Sequence, residues 1–442
     1  MFPLQKYKNK KIAIYGMGKT GLSAAKTFQK MKVKVFCWDD NKNVRKKIEK
    51  LNFNVSKFWL NKNLINVILI SPGIDINKCK IKKFLKKNTN KIITDLDLFF
   101  EFNKNATMIS ITGTNGKSTT CKILEKVLKT AKHKVKTVGN IGNPILYSKE
   151  YKKKYFFILE VSSYQLQYSK LFRSKHAAIL NISSDHLERH KNINNYIKAK
   201  SKIFLAQKSS DYSYINYNNK YTKKIKNIFN SKKIKSNLIL VKKSDNVNLL
   251  NKIDNKYFKS GGNIENLIFA YRIAKNLNIN EKIIIKAINK FKGLPHRQEV
   301  VLAKKNLLCI NDSKATSFDA SLQSLLNYRN IYWIVGGLPK YKDNFYIKDV
   351  KKKILKAYII GKHTSFFKKK ISNYVPYIIS KNIRNAINDV SRDIKSNKNL
   401  KSTILLSPAA ASFDQFSNFE NRGVYFKNLI VKKFKNRKNV YF

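Results

Sequence analysis

Residues 107–119 read TMISITGTNGKST, and this stretch carries the sharpest signal in the sequence. Its first five residues form a short apolar run that predicts a β-strand, and a helix is predicted from 118 to 131. A glycine-containing loop between a strand and a helix can cradle phosphate, with backbone N–H groups and Lys117 meeting phosphate oxygens and Ser118 binding Mg²⁺. Ile111 stands where the common GxxxxGK[ST] pattern has glycine, so the loop is a shorter variant. A chance match is the alternative, and the flanking strand and helix argue against it.

A second glycine-rich turn, GMGKTG, lies upstream at residues 16–21. It follows the apolar run 11–15 and precedes a helical stretch, 22–31, which is the context that the GxGxxG fingerprint requires. Asp39 ends the next apolar run, at the position where an acidic residue bonds a ribose hydroxyl. From its residues alone this segment predicts a dinucleotide site. A tight glycine turn without a ligand is the alternative.

Apolar runs alternate with helical stretches along the whole chain, which predicts an α/β fold with parallel sheets. The further strand candidates are 32–38, 66–70, 155–159, 177–180, 306–310, 331–335, 357–360 and 402–406. The rhythm starts three times and predicts three domains. These are a Rossmann-like N-terminal domain at 1–92, a central P-loop ATPase-like α/β domain at 93–293 and a Rossmann-like C-terminal domain at 294–442. The Lys- and Asn-rich stretch 217–255 is weakly patterned and is predicted to be a surface region.

The composition excludes several classes of protein. The chain has 442 residues, with 91 Lys+Arg against 26 Asp+Glu, yet 43% of its residues are hydrophobic, too many for a disordered polycation. The formal net charge is +65, and the basic residues are 81 Lys and 10 Arg spread along the sequence beside abundant Asn and Ile. Because A/T-rich codons encode Lys, Asn and Ile, mutational bias explains this trio better than a binding face. We therefore expect no specific nucleic-acid partner.

Targeting and redox signals favour a cytoplasmic protein. The first 11 residues lack the apolar core of a signal peptide, and no run approaches the ~18 apolar residues of a membrane span. Cys37, Cys79, Cys121 and Cys309 are scattered without a CxxC pair, which argues against a disulfide framework and a zinc site. A reducing, cytoplasmic location without a membrane span is the simplest interpretation.

Polar residues follow two of the central strand candidates. Glu160 comes directly after the run 155–159, and Asp185 and His186 follow the run 177–180 after a short polar segment. Because parallel sheets bind ligands at the carboxyl ends of their strands, these side chains are candidates for Mg²⁺ or phosphate contacts. A solvated Glu160 and a His186 without a ligand are the alternatives.

Three further residues carry weaker signals. His190 is predicted to lie on the surface. Lys200 is one lysine among 81, and Lys314 is only slightly better placed because it follows a strand candidate. Spacing alone singles out neither lysine.

Taken together, these motifs resemble those of the Mur ligase family, ATP-dependent amide ligases that build the peptide stem of peptidoglycan. The resemblance covers all three predicted domains and is strongest to the branch that adds D-glutamate to UDP-N-acetylmuramoyl-L-alanine. The motifs that carry it are GMGKTGLSAA (16–25), SPGI (71–74), TGTNGKST (112–119), GNIG (139–142), EVSSYQL (160–166), LNISSDHLERH (180–190), GLPHR (293–297), NDSKAT (311–316) and SPAAASFDQFSNFENRG (407–423). The NDSKAT motif and the last motif discriminate best.

The resemblance implies substrate contacts residue by residue. The N-terminal domain would hold the uridine diphosphate end of the substrate instead of a dinucleotide, and the central domain would bind ATP. The implied UDP-substrate contacts are Thr20, Asp39, Ser71, Asn140, Ser162 and Gln165, the last three facing the muramoyl-alanine. The implied ATP contacts are Gly113, Thr114, Asn115, Gly116, Lys117, Ser118, Thr119, Asn266, Arg297 and Asp312. The positions that match those receiving D-glutamate are Thr316, Lys340, Ser412 and Phe419.

The resemblance also implies cofactors and chemistry. Family members hold two Mg²⁺ ions. One is expected here at Ser118 and Glu160, and the other at His186 with a carbamylated Lys200. Lys117, His186 and Lys200 are the implied catalytic residues. The γ-phosphoryl group of ATP would pass to the L-alanine carboxylate, and the D-glutamate amine would attack the acyl phosphate. An active, monomeric enzyme is expected, although the segment 336–343 has fewer glycines than the family pattern.

Three other functions remain open at this point. A folylpolyglutamate synthase shares the ATP loop but would lack the N-terminal domain with its own GxGxxG turn. A sister ligase that adds another amino acid is closer, and the SPAAASFDQF segment disfavours it. A basic nucleotide-binding module without ligase activity would need clustered basic and aromatic residues, whereas the lysines here are diffuse.

Overall fold

The chain folds into two compact units with three β-sheets. The computed structural model describes residues 4–60, 64–139, 145–147, 155–259, 261–340, 345, 347–397 and 399–435. The first unit comprises residues 1–259 and 263–291, and the second comprises residues 260–262 and 292–442. Two sheets belong to the first unit and one to the second.

The first sheet has four parallel strands in the order β2-β1-β3-β4. The strands are β1 (Ile12–Tyr15), β2 (Val35–Trp38), β3 (Val67–Ile70) and β4 (Ile92–Ile93). The accompanying helices are α1 (Leu4–Tyr7), α2 (Lys19–Lys30), α3 (Lys42–Glu49), α4 (Lys82–Lys87) and α5 (Asp95–Phe102). Every residue of β1 and β3 is buried, as expected for interior strands covered on both faces. The glycine turn of residues 16–21 therefore leaves an interior strand of the sheet and opens α2.

The second sheet has six parallel strands in the order β10-β9-β8-β5-β7-β6. They are β5 (Thr107–Thr112), β6 (Lys134–Gly139), β7 (Tyr155–Glu160), β8 (His176–Ile179), β9 (Tyr212–Asn216) and β10 (Asn237–Val241). Its helices are α6 (Lys117–Thr130), α7 (Ser163–Gln167), α8 (Leu187–His190), α9 (Ile193–Ser201), α10 (Thr222–Ser231), α11 (Val247–Asn251), α12 (Gly261–Asn276) and α13 (Glu281–Asn289). Because β5 pairs with both β7 and β8, the segments that follow these three strands meet at one edge.

The third sheet lies in the second unit and has the order β11-β12-β16-β13-β14-β15. Its strands are β11 (Glu299–Ala303), β12 (Leu307–Asn311), β13 (Ile331–Gly336), β14 (Ile354–Ile360), β15 (Tyr377–Lys381) and β16 (Ser402–Leu406). Its helices are α14 (Phe318–Asn327), α15 (Thr364–Ile371), α16 (Ile383–Ser396) and α17 (Phe419–Ile430). β11 is antiparallel to β12, and the other pairings are parallel. The predicted α/β class with parallel sheets is thus confirmed.

The first and second sheets share one hydrophobic core. A single cluster of buried side chains includes Ile14 of β1, Phe28 of α2, Phe99 of α5 and Phe157 of β7. Phe99 and Phe157 meet edge to face, with ring centroids 5.0 Å apart. The two sheets are therefore packed together as one body, although each has its own outer core. The domain boundaries at 92 and 293 stay predictions.

Each strand candidate taken from the sequence overlaps a strand of the structure. The stretch 217–255 is mostly exposed, as predicted for a surface region, and it also contains α10 and the edge strand β10, which were not predicted. β10 reads NLILV, an apolar run that stands inside a stretch otherwise rich in Lys and Asn. Ile225 and Phe229 on the buried side of α10 are the signal that was available.

Candidate active site

The loop between β5 and α6 is shaped by glycine at position 116. Gly116 has φ +84°, and a Cβ there would lie 2.0 Å from Asn266 Oδ1 of α12. Only a residue without a side chain lets α12 approach the loop so closely. Asn266 Oδ1 also accepts a hydrogen bond from Thr120 Oγ1 at 3.3 Å. The structure thus brings Asn266 to the predicted phosphate loop.

Lys117, the first residue of α6, places its ammonium group over this loop. Lys117 Nζ donates to the carbonyl oxygens of Gly113 at 2.9 Å and of Thr114 at 2.8 Å. Ser118 and Thr119, which follow in the first turn of α6, are buried. A cation beside the N–H groups of a helix N-terminus favours anions, and phosphate is the anion that this loop shape accommodates.

The segment after β8 is tied to the phosphate loop by reciprocal hydrogen bonds. Thr114 N donates to Asn181 O at 2.9 Å, and Asn115 N donates to Asn181 Oδ1 at 2.9 Å. Ser183 N donates to Thr114 Oγ1 at 3.0 Å. These bonds fix the position of the chain that leads to Asp185 and His186. Thr114 and Asn115 therefore use much of their hydrogen-bonding capacity to hold the loop itself.

Ser118 and Glu160, the predicted ligands of one Mg²⁺, are in direct contact. Ser118 Oγ donates to Glu160 Oε2 at 2.7 Å, and both residues are buried. The contact forms because β7 lies next to β5, so that its last residue faces the start of α6. A hydroxyl and a carboxylate are oxygen ligands of the kind that Mg²⁺ prefers.

Lys200 of α9 lies at the same loop, although spacing alone did not single it out. Its side chain is 2% exposed, and Nζ donates to Gly113 O at 2.9 Å and to Thr112 Oγ1 at 3.3 Å. Burial lowers the pKa of Lys200 well below its usual value, and the nearby Lys117 charge adds to the effect. The charges of Asp185 and Glu160 oppose it. Lys200 is therefore an amine with an enhanced neutral fraction beside the phosphate loop.

His186 lies in a small polar cluster after β8, partly open to solvent. Its backbone is left-handed, with φ +55°. His186 Nδ1 lies 3.0 Å from Tyr164 Oη, and Nε2 lies 3.3 Å from Asp185 Oδ2. Among the described residues, no group of three or more His, Cys, Asp or Glu side chains is arranged to hold a metal.

The prediction that His190 lies on the surface is wrong. The side chain is buried, and Nε2 lies 3.0 Å from Ser163 Oγ. Its ring packs against Tyr164 and Tyr196. Burial lowers the pKa of His190 to about 4, so the imidazole is neutral near pH 7. The short helix α8 turns this residue inward, which its polar neighbours in the sequence conceal.

The glycine turn of the first sheet is held by two predicted UDP-substrate contacts. Asp39 Oδ2 accepts from Met17 N at 2.7 Å, and Asp39 Oδ1 accepts from Asn41 N at 2.9 Å. Ser71 Oγ donates to Gly16 O at 2.6 Å. Thr20 belongs to the same GMGKTG segment and lies in the first turn of α2. The structure therefore brings Thr20, Asp39 and Ser71 to one edge of the first sheet.

Ser162 and Gln165 cap the short helix α7. Ser162 Oγ accepts from Gln165 N at 3.2 Å, while Gln165 Oε1 accepts from Ser162 N at 3.1 Å. Gln165 Nε2 donates to Asp95 Oδ2 at 3.3 Å. The orientation of the Gln165 amide is thus fixed at both ends. Asn140, the third predicted muramoyl-alanine contact, lies outside the described residues.

The remaining predicted ATP contacts, Arg297 and Asp312, belong to the second unit. Asp312 Oδ2 accepts hydrogen bonds from Ser324 Oγ and, at 3.1 Å, from Ser407 Oγ. Burial raises the pKa of Asp312 to about 6, against the opposing effect of these bonds. Gln298 N donates to Asp312 Oδ1 at 3.2 Å, which places the neighbouring Arg297 beside Asp312.

The four predicted D-glutamate contacts lie beyond the carboxyl ends of strands of the third sheet, three of them on loops and Phe419 as the first residue of α17. Leu338 and Ala411 exchange backbone hydrogen bonds of 2.9 and 3.0 Å, which joins the loop carrying Lys340 to the loop carrying Ser412. Ser313 Oγ donates to Phe419 O at 2.8 Å, so the segment before Thr316 meets the start of α17. The Lys314 ammonium lies 3.9 Å from the centre of the Phe419 ring. Ser412 is buried and Lys340 is exposed, and residues 341–344 lie outside the described residues.

Sequence reasoning missed three residues that organise these sites. Asn181 pairs with the phosphate loop, Asp95 holds Gln165, and Arg189 donates to the carbonyl oxygens of residues 72–74. Asn181 and Arg189 lie inside the LNISSDHLERH motif but looked like ordinary polar residues. Nothing in the sequence connected Asp95 to Gln165, because the contact spans two helices that are distant in sequence.

Comparison with known proteins identifies relatives along the whole chain. The family model described as Mur ligase MurD-like, N-terminal domain, matches residues 10–93, and the model described as Mur ligase middle domain matches residues 111–286. The UDP-N-acetylmuramoylalanine--D-glutamate ligase of Rickettsia felis is 37% identical over 96% of this chain and 98% of its own length. The protein of the same name from Rickettsia prowazekii is 36% identical over the same shares.

A solved structure supports the fold. The MurF ligase from Thermotoga maritima in complex with ADP covers 89% of this chain and 94% of its own, with a TM-score of 0.56 and 15% sequence identity. At that identity the likeness concerns the fold alone. No helix in the described part of the chain is long and apolar enough to span a bilayer.

Proposed function

The chain belongs to the Mur ligase family, and we propose that it joins D-glutamate to UDP-N-acetylmuramoyl-L-alanine while ATP becomes ADP and phosphate. The observation that carries this function is the match along nearly the whole chain to D-glutamate ligases at 36 and 37% identity. The reaction forms an amide bond in peptidoglycan precursor synthesis.

Activation of a carboxylate is the chemical problem that the enzyme solves. The L-alanine carboxylate is a poor acyl donor, since its leaving group would be oxide. Transfer of the γ-phosphoryl group of ATP to that carboxylate gives an acyl phosphate, whose leaving group is phosphate. The D-glutamate amine then attacks the acyl carbon and loses a proton, and the tetrahedral intermediate collapses to amide and phosphate. Positioning and electrostatic stabilisation supply most of the catalysis.

The phosphate loop is the proposed ATP site of the central sheet. Residues 113–119 would hold the phosphates through their N–H groups and through Lys117, whose ammonium already lies over the loop. Asn266 would contribute from α12. Arg297 and Asp312 are the proposed nucleotide contacts of the second unit.

The residues around this loop fit bound Mg²⁺. Ser118 and Glu160 would hold one ion, and His186 with a carbamylated Lys200 would hold a second. When bound, the ions neutralise charge that gathers on the transferred phosphoryl group. Burial of Lys200 supports the carbamate, since a neutral amine is the form that reacts with CO₂.

The substrate ends are assigned to separate sheets. Thr20, Asp39 and Ser71 would contact the uridine diphosphate portion, and Asn140, Ser162 and Gln165 the muramoyl-alanine. The proposed D-glutamate contacts in the second unit are Thr316, Lys340, Ser412 and Phe419. The proposed domains are 1–92 for the UDP substrate, 93–293 for ATP and 294–442 for the amino acid. We propose that the enzyme acts as a cytoplasmic monomer.

Phosphate release tests this function. The assay contains ATP, Mg²⁺ and UDP-N-acetylmuramoyl-L-alanine, and it compares D-glutamate with L-glutamate, L-lysine, meso-diaminopimelate and no amino acid. We expect release to require both the muramoyl substrate and D-glutamate. Lys117→Ala should abolish it, whereas Lys126→Ala, at an exposed position on the same helix, should leave it unchanged.

Other outcomes would redirect the assignment. Release with a different amino acid would keep the ligase mechanism and move the specificity, with the loop around Lys340 as the first place to look. An absence of release with every amino acid would refute an active ligase.

A further inference from the structure

The hydroxyl of Tyr164 stands between two polar groups of the segment after β8. Tyr164 lies on α7, and its Oη is 3.0 Å from His186 Nδ1 and 3.4 Å from Glu188 Oε1. Its ring is half-buried against the rings of His186 and His190. The Arg189 guanidinium carbon lies 5.3 Å from the centre of the Tyr164 ring. Packing on several sides therefore holds the hydroxyl in place.

These contacts bear on which ring nitrogen of His186 carries the proton. A neutral imidazole has one N–H, and the nitrogen without it can bind a cation. If Nδ1 carries the proton, it donates to Tyr164 Oη, and the tyrosine O–H donates to Glu188 Oε1. Every proton in this chain of bonds then has an acceptor, and Nε2 keeps its lone pair.

The competing form puts the proton on Nε2. Asp185 Oδ2, 3.3 Å from Nε2, would accept it, and Tyr164 would donate to Nδ1 instead. In that form Nε2 has no lone pair for a cation. Removal of the Tyr164 hydroxyl takes away the nearest acceptor for Nδ1–H, at 3.0 Å, and leaves only Glu188 Oε1 at 3.6 Å on that side, while Asp185 stays in place at Nε2. The balance would therefore shift toward the form that cannot bind.

We propose that Tyr164 is a positioning residue for His186, which holds the imidazole in the Nδ1–H form so that Nε2 is presented to a divalent cation. This inference rests on the proposed function, in which His186 is a metal ligand. Partners of ligating imidazoles usually fix the tautomer and ring orientation in this way, and their loss typically weakens metal binding about 10- to 100-fold. Here the partner is a tyrosine hydroxyl, with Glu188 as the acceptor behind it.

Mn²⁺ binding measured by electron paramagnetic resonance tests the proposal without turnover. The full-length protein is titrated with Mn²⁺ in the presence of UDP-N-acetylmuramoyl-L-alanine and a non-hydrolysable ATP analogue. Tyr164→Phe should weaken one class of Mn²⁺ site about 10- to 100-fold. The matched control is Tyr168→Phe, since Tyr168 is also half-buried near Arg189 but its hydroxyl accepts from Ile76 N at 3.2 Å. It should bind Mn²⁺ as the wild type does.

A second variant guards against misfolding of the first. Glu188→Ala removes the acceptor behind Tyr164 at a well-exposed position, and it should weaken the same site, though less. Mn²⁺ binding unchanged in Tyr164→Phe would overturn the proposal, provided that His186→Ala weakens binding. If Tyr164→Phe does not fold, unchanged binding in Glu188→Ala would overturn it.

The same titration separates the inference from its premise. If His186→Ala binds Mn²⁺ as the wild type does, His186 is not a ligand, and the metal assignment of the proposed function fails together with the inference. If His186→Ala weakens binding and Tyr164→Phe equals Tyr168→Phe, only the inference fails.

Discussion

At the level of single residues, the phosphate loop depends on the absence of a Cβ atom at Gly116. The loop turns under α12 at Gly116, and the Asn266 side chain occupies the space that any Cβ would need. The positive φ of +84° adds a second reason for glycine, since residues with a side chain rarely adopt it. One position therefore joins the shape of the loop to the placement of a predicted ATP contact.

Gly116→Ala should damage both stability and ATP binding. The strained backbone alone costs about 1 kcal/mol or more, and the overlap with Asn266 forces a shift of α12 or of the loop. We expect a lower free energy of unfolding in urea and loss of detectable ATP affinity by calorimetry. Gly18→Ala is the stability control, because a Cβ there meets nothing within 4 Å. Equal stability of the two variants would contradict the argument.

Asp95 gives a prediction about pH. Burial raises its pKa from the ordinary 3.8 to about 6, and Oδ1 has no hydrogen-bond partner in the described structure. The folded protein thus binds the proton more tightly than the unfolded chain, so Asp95 contributes stability below pH 3.8 that is lost as pH rises through about 6.

Asp95→Asn removes this titration. We expect the stability of the variant relative to wild type to rise by up to about 3 kcal/mol between pH 4 and pH 7, since two pKa units correspond to that free energy. Urea unfolding at both pH values measures it. A difference that stays constant with pH would show that Asp95 does not titrate in this range.

At the scale of elements, one carboxylate joins α5 to the segment that follows α7. Asp97 Oδ1 accepts from Ser169 Oγ at 2.7 Å and from three consecutive backbone N–H groups, those of residues 170–172, at 2.8 to 3.0 Å. Asp97 Oδ2 accepts from Thr94, the residue that caps α5. The side chain is fully buried, so no water replaces these bonds if they are lost.

Asp97→Asn should therefore destabilise the first unit by about 3 kcal/mol or more, because an amide cannot accept at both of its ends. Thermal unfolding with and without urea measures the loss. Asp254→Asn, at an exposed position, should change stability by less than about 0.5 kcal/mol. A loss of that small size in Asp97→Asn would show that the anchor is dispensable.

Elements differ in how far the sequence could predict them. β5 and β7 are apolar over nearly their whole length because helices cover both faces, and such runs are visible in the sequence. β6, KVKTVG, lies at an edge and was missed because an edge strand can keep lysines and polar residues. β10, NLILV, is an apolar edge strand that was also missed, because the stretch around it is rich in Lys and Asn.

The residues of the candidate active site differ in the same way in how far the sequence could predict them. The backbone of residues 113–116 could be predicted, because a glycine loop between a strand and a helix is a local pattern. Lys200 could not be predicted without the family resemblance, since its importance comes from α9 packing against a loop far away in sequence. Tyr164 and Asp95 were missed for the same reason, as each acts through a partner on another element.

At the scale of the whole molecule, charge opposes compaction. The net charge of +65 leaves most lysines without an acidic partner to neutralise them, and folding brings these cations closer together. Ion pairs such as Arg173–Asp211, with a nitrogen–oxygen distance of 2.7 Å, relieve the repulsion only locally. Dissolved salt should relieve it generally, since the Debye length falls to ~3 Å at 1 M ionic strength.

We therefore expect the melting temperature to rise by several degrees between about 0.02 and 0.5 M NaCl. Sulfate should raise it further, as it combines screening with exclusion from the surface. Differential scanning calorimetry at neutral pH measures the shift. A melting temperature that falls with added NaCl would mean that attractive ion pairs outweigh the overall repulsion.

The core shared by the first and second sheets limits what recombination can exchange. A chimera that takes residues 1–92 from a relative would replace one wall of this core, including Phe28, while keeping Phe99 and Phe157 on the other. A gene fusion at that boundary would join two core surfaces whose side chains come from different proteins and do not fit each other. A successful graft would have to carry α5 and the facing side of β7 as well.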